Sequence, residues 1–108
     1  MKTNYRFGEK YVLADQVSVT PDRVECTQVF ETENGGISLL AFKKGQLLDT
    51  HLAPAVVMVN VIEGEIEFTM NGVVNTLRGG EFLLMGADVP HSVVAKEDSK
   101  VMLTKVRP

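Results

Sequence analysis

Cysteine is nearly absent, Cys26 being the single thiol in 108 residues. One thiol cannot build an internal disulfide framework, so the fold must rest on its own apolar core. Neither histidine lies near Cys26 in the chain, and its expected role is a small buried strand residue rather than a nucleophile. A basic patch is missing as well. The formal net charge is −3 and the Lys and Arg residues are scattered, so nucleic acid lacks the cationic footprint it needs. There is no long hydrophobic run: the longest, over residues 53–62, is broken by Asn60 and is too short to cross a bilayer. The opening MKTNYRFGEK holds no apolar core of the secretory kind. These absences lead to the expectation of a cytoplasmic protein with neither nucleic-acid nor membrane partners. No long stretch carries the period of an amphipathic helix either.

What is present is a hydrophobic share of 44% against 23% charged residues, the balance of a globular chain. At this length one domain over 1–108 can bury a substantial core. Residues 1–10 are expected to form a loosely ordered arm. Short strand-like pieces follow at 11–14 and 17–19, stopped by the turn cluster Thr20-Pro21-Asp22. Residues 23–30 alternate with Val24, Cys26 and Gln28 on one face. Further strand patterns occupy 37–42, 47–53, 55–62, 65–70, 73–77, 82–85, 91–95 and 100–106. The sharpest turn signal is Asn71-Gly72 between two alternating strands, a type I′ hairpin dipeptide. Strand 55–62 stands apart, with Val57, Val59 and Val61 on one side and Val56, Met58 and Ile62 on the other. A strand apolar on both sides must be covered on both sides. With no helix for the task, the cover has to be a second sheet or a second subunit, and a homodimer packed through 55–62 is expected. Roughly nine or ten short strands with regular turn signals describe an all-β sandwich or barrel without substantial helix. Met58, Met70, Met85 and Met102 fall on these strands and read as core filler rather than ligands.

The two histidines sit inside this pattern, each behind a glycine. Gly45, His51 and Gly64, followed by Gly80 and His91, resemble the two motifs of the cupin family, over 45–64 and 80–95. In that family the first motif reads Gly, five residues, His-x-His, three or four residues, Glu, six residues, Gly. The second reads Gly, five residues, Pro-x-Gly, two residues, His, three residues, Asn. The resemblance is closest to small single-domain cupins and covers most of the chain. It implies a jelly-roll β-barrel, commonly homodimeric, with a pocket inside the barrel. In most members the two histidines and the glutamate of the first motif, with the histidine of the second, hold a divalent metal. This sequence departs from that set. Ala53 stands at the second histidine's place and Val57 at the glutamate's, while Gly86, Asp88 and Ala95 replace the second motif's proline, glycine and asparagine.

The candidate site therefore starts from two imidazoles, His51 and His91, as metal ligands or pocket groups. Strand alternation places Asp49 on the His51 side, and Asp49, His51 and His91 would make the two-histidine, one-carboxylate set of non-haem iron sites. The alternative is an Asp49 that is solvated or paired with a lysine such as Lys43. Ala53, Val57, Val59 and Phe68 are the expected pocket walls. Replacing two ligands with apolar residues weakens a metal site and makes the concavity suit a small organic ligand. The leading functional expectation is a small-molecule-binding cupin with a weak or incomplete divalent-metal site, taking Mn, Fe, Ni or Zn or no metal at all. A metal-dependent enzyme, a dioxygenase or isomerase, and a metal-free sensing or interaction module are the alternatives. The ligand itself is not legible.

Overall fold

A computed structural model describes residues 1–108. Nine strands form two antiparallel sheets that face each other. They are β1 (Glu25–Thr32), β2 (Gly35–Phe42), β3 (Leu47–His51), β4 (Val56–Glu63), β5 (Glu65–Met70), β6 (Val73–Arg78), β7 (Phe82–Met85), β8 (His91–Ala95) and β9 (Ser99–Val106). One sheet has the order β1-β2-β9-β4-β7 and the other β3-β8-β5-β6. The crossovers between them make the jelly roll that the alternating strands and absent helices imply. The only helical piece is a four-residue 3-10 turn at Leu13–Gln16, and no helix is long and apolar enough to cross a membrane.

Local chemistry sets the turns. Asn71 and Gly72 have φ of 48° and 78° and join β5 to β6 with Met70 opposite Val73, the mirror-image geometry that matches strand twist. At Gly64 φ is 96°, and a Cβ there would run into Ser99 Oγ and the Asp98 carbonyl, so only glycine lets β4 turn into β5 beside β9. The main core lies between the sheets. Phe42, Val57, Val59, Val61 and Val101 meet Ile66, Phe68, Val93 and Ala95 there. Alternation on β4 holds as expected, with Val57, Val59 and Val61 buried and Val56 exposed.

Four expectations need correction. Residues 11–14 and 17–19 are not strands. The N-terminal segment is also not loose: Lys2 and Glu31 exchange two backbone hydrogen bonds at 2.8 and 2.9 Å, and the Thr3 hydroxyl donates to the Val29 carbonyl at 2.6 Å. The segment after the 3-10 turn lies on the outer face of the five-stranded sheet, where buried Val17 packs with Leu39 and Ala41, and Val19, Ile62 and Met102 join them. The chain thus supplies part of the cover that strand 55–62 demands, which neither a sheet nor a subunit had to provide. Cys26 is exposed rather than buried. It lies opposite Leu40 on the inward side, but β1 is the edge of a five-stranded sheet facing one of four, so nothing stands over it. Met70, Met85 and Met102 do fill apolar clusters as expected: Met85 is buried in the main core, Met70 packs against it, and Met102 packs against Val17, Leu39 and Ala41 on the outer face.

Candidate functional site

Strands β3 and β8 pair with His51 directly opposite His91, so the two imidazoles named from separate motifs become neighbours. Their ring centroids are 4.0 Å apart at an interplanar angle of 59°. Phe68, on the adjacent strand β5, stacks on His91 at 5.5 Å and 19°. The loop that carries Ala53 is tied to the loop before His91 by the Asp88 amide, which donates to the Ala53 carbonyl at 2.8 Å. Asp88 takes the left-handed conformation there, φ 60°, which an aspartate tolerates better than most residues. This link holds the two motifs at one end of the barrel.

Each ring is oriented by its own backbone. His51 Nδ1 lies 2.9 Å from the Asp49 carbonyl and His91 Nδ1 lies 2.9 Å from the Val89 carbonyl. A carbonyl only accepts, so Nδ1 carries the hydrogen in both rings, and a ring in its neutral form keeps its lone pair on Nε2. His91 is 6% exposed while His51 is open to solvent. Burial pushes the His91 pKa below its ordinary value, the bond to Val89 partly opposes this, and the charges of His51 and Lys105 lower it further. His91 is therefore neutral near pH 7, with its Nε2 ready to accept a proton or a hydrogen bond.

Both histidines line a cavity of about 170 Å³ between the sheets, and thirteen of its seventeen lining residues are hydrophobic. Ala53, Val57, Val59 and Phe68 are among those walls. Asp49 is not. In β3, Leu48 pairs with Val93 and His51 with His91, so three steps on one strand match two on the other. This β-bulge breaks the alternation on which the Asp49 expectation rests: Leu48 and His51 both face the cavity. Asp49 lies with Thr50, Thr69 and Ser92 along a depression on the outer side of the sheet. It has no ion pair with Lys43 either, which pairs with Asp98 at 3.3 Å.

The remaining donors do not fit a resident divalent metal. A protein site ordinarily offers three or four N, O or S side chains, and no three of His, Cys, Asp and Glu come together anywhere in the chain. Ala53 and Val57 present methyl groups where donors would be needed. What the pair can do is accept hydrogen bonds at two adjacent Nε2 atoms from hydroxyl, amine or water. Several lining residues were not foreseen from the sequence, and the one that changes the chemistry is Lys105. Its signal was the alternation Val101, Leu103, Lys105, which puts the lysine on the inner side at the end of β9.

The cupin domain model matches residues 38–106. Among solved structures, a conserved protein of unknown function from Streptococcus pyogenes, SPY1581, is 24% identical and superimposes with a TM-score of 0.91, covering 100% of this chain and 96% of that one. An RmlC-like cupin from Desulfovibrio desulfuricans is 32% identical with a TM-score of 0.81, over 91% of this chain and 95% of that one. A cupin superfamily protein from Desulfitobacterium hafniense is 17% identical with a TM-score of 0.90, over 98% and 97%, a likeness of fold alone. No curated protein matches the sequence. With two motif frames of glycine and histidine, a jelly roll that pairs them and a family match over most of its length, the chain belongs to the cupin family.

Proposed function

We propose that this cupin binds a small, largely apolar organic molecule in the cavity between its sheets, with the ligand's polar group at the His51–His91 pair. The observation that carries the reading is an apolar concavity lined by two imidazoles with ring centroids 4.0 Å apart, each with its Nδ1 turned to a backbone carbonyl. An apolar space of this kind gains from any apolar body that fills it, and the histidines fix its orientation. A cavity of roughly 150 Å³ holds a benzene-sized molecule, which sets the scale of the occupant. Metal at this site is limited to the weak hold that two imidazoles provide, with water or ligand completing the shell, so a metal-dependent reaction has no support from the donor set.

Phenol is a suitable first probe, because it pairs a ring with one hydrogen-bond donor. Titrated into the protein, it should shift the backbone amide resonances of Val57, Val59, Phe68 and Val93. Val59→Phe, which fills the cavity, should abolish those shifts, and the double variant His51→Ala, His91→Ala should weaken binding about threefold to tenfold by removing a hydrogen bond. Unmoved cavity amides in the parent protein would overturn the reading.

We also propose that two copies associate through the outer face of the five-stranded sheet. In register there, Met58 lies beside Leu84, and Val56 beside Val106. Val56, Phe82, Leu84 and Val106 are 42%, 56%, 65% and 57% exposed. The N-terminal segment covers this face over β2 and as far as Ile62 at the end of β4, but leaves Val56, Phe82, Leu84 and Val106 exposed. A second copy turned by a two-fold axis presents the same apolar residues to it.

A further inference from the structure

Lys105 is the one formally charged residue lining the cavity, and no carboxylate lines it. In the sheet register it lies opposite the cavity wall Val57 on one side and opposite Gly36, which has no side chain, on the other. The nearest acid in that row is Glu31, beyond Gly36 on the edge strand β1. Other lysines have carboxylates to hand, Lys43 at 3.3 Å from Asp98, Lys96 at 3.1 Å from Glu67 and Lys100 at 3.7 Å from Glu63, whereas Lys105 pairs with none. Its neighbours in the cavity are two imidazoles, and its charge already acts on His91. The concavity is thus apolar in its walls and one-sidedly basic in its few polar groups.

A positive charge beside a low-dielectric pocket is stabilised by an anion that also buries an apolar body, and a neutral ligand of the same shape gains only the second term. We propose that the preferred occupants of this cavity are small organic carboxylates, with the apolar body among Val59, Phe68 and Leu103 and the carboxylate on the side of the His51–His91 pair, held there by Lys105. This rests on the small-molecule reading above and narrows it to one ligand class. Acidic walls would have selected for amines, and a cavity without Lys105 would show no charge preference.

The test compares benzoate with benzamide, its neutral counterpart of the same size, followed through the Val57, Val59 and Phe68 amides in the parent protein, Lys105→Met and Lys105→Arg. Benzoate should bind about threefold to tenfold tighter than benzamide, the range of a charge-assisted contact at a partly solvated mouth. Lys105→Met should bring the two within about twofold and Lys105→Arg should keep the preference. Equal affinities in the parent, or a preference that survives Lys105→Met, would overturn the carboxylate proposal and leave the small-molecule reading in place. Failure of both probes to move the cavity amides would overturn the two together.

Discussion

His91 concentrates the residue-scale consequences. It is buried, neutral and stacked on Phe68, and its pKa is held below the ordinary histidine value first by desolvation. The unfolded chain, with an ordinary imidazole, therefore takes up a proton at a pH where the folded chain does not. Stability is unaffected above the ordinary value, falls as pH drops from there to the folded pKa, and is level again below it. Urea unfolding at about pH 7.5 and about pH 5.5 should show the parent losing stability across this interval, and His91→Gln should lose less. Asp98 behaves differently. Its carboxylate accepts from the Lys44 amide at 2.8 Å, which holds its pKa below the usual range, so its stabilising effect is present above that range and disappears only in more acid solution. The two windows are separable in one titration. Phe68, 1% exposed and in contact with His91, should be the most costly cavity wall to remove. Phe68→Ala is expected to destabilise the fold by about 3–5 kcal/mol, measured by denaturant unfolding.

At the scale of elements, the bulge in β3 decides which side chains share the pocket. Regular alternation would have sent Asp49 and His51 to the same side, but the extra residue sends Leu48 and His51 there instead. The same scale explains why motif glycines are retained where motif ligands are not. Gly64 combines a left-handed backbone with a space already filled by β9, so Gly64→Ala should cost about 2 kcal/mol or more. Gly86, where an added Cβ meets nothing, is the control: Gly86→Ala should stay within about 0.5 kcal/mol of the parent by the same unfolding measurement. The contrast separates a glycine that shapes the barrel from one that stands where the family motif has proline.

On the scale of the whole molecule, one sheet face is divided between two kinds of cover. Val17 closes it over β2, and the open part beyond β4 exposes Phe82 and Leu84. If that open part is the contact between copies, light scattering should give a mass near twice that of one chain, and Leu84→Glu should lower it toward one by placing charge in the apolar contact. A parent mass near that of one chain would remove the homodimer. The cavity lies on the opposite face of the same sheet, so Leu84→Glu should leave binding of small probes unchanged.

The jelly roll was legible in the chain because its signals are local. Alternation in β4 and β5, Asn71-Gly72 and the glycine-histidine spacing each depend on residues a few positions apart, and strand period and turn chemistry act over that range. The identity of the two histidines and four cavity walls was legible for the same reason. What only the tertiary structure decided depends on pairing between distant strands. The β3–β8 register turned Asp49 away, the unequal width of the sheets exposed Cys26, and the N-terminal segment found a groove on β2 that no local pattern announces. Alternation along β9 puts Lys105 on the inner side, but it joined the site only because the end of β9 passes the mouth of the barrel beside Gly36 and Val57, a contact set by three strands far apart in sequence.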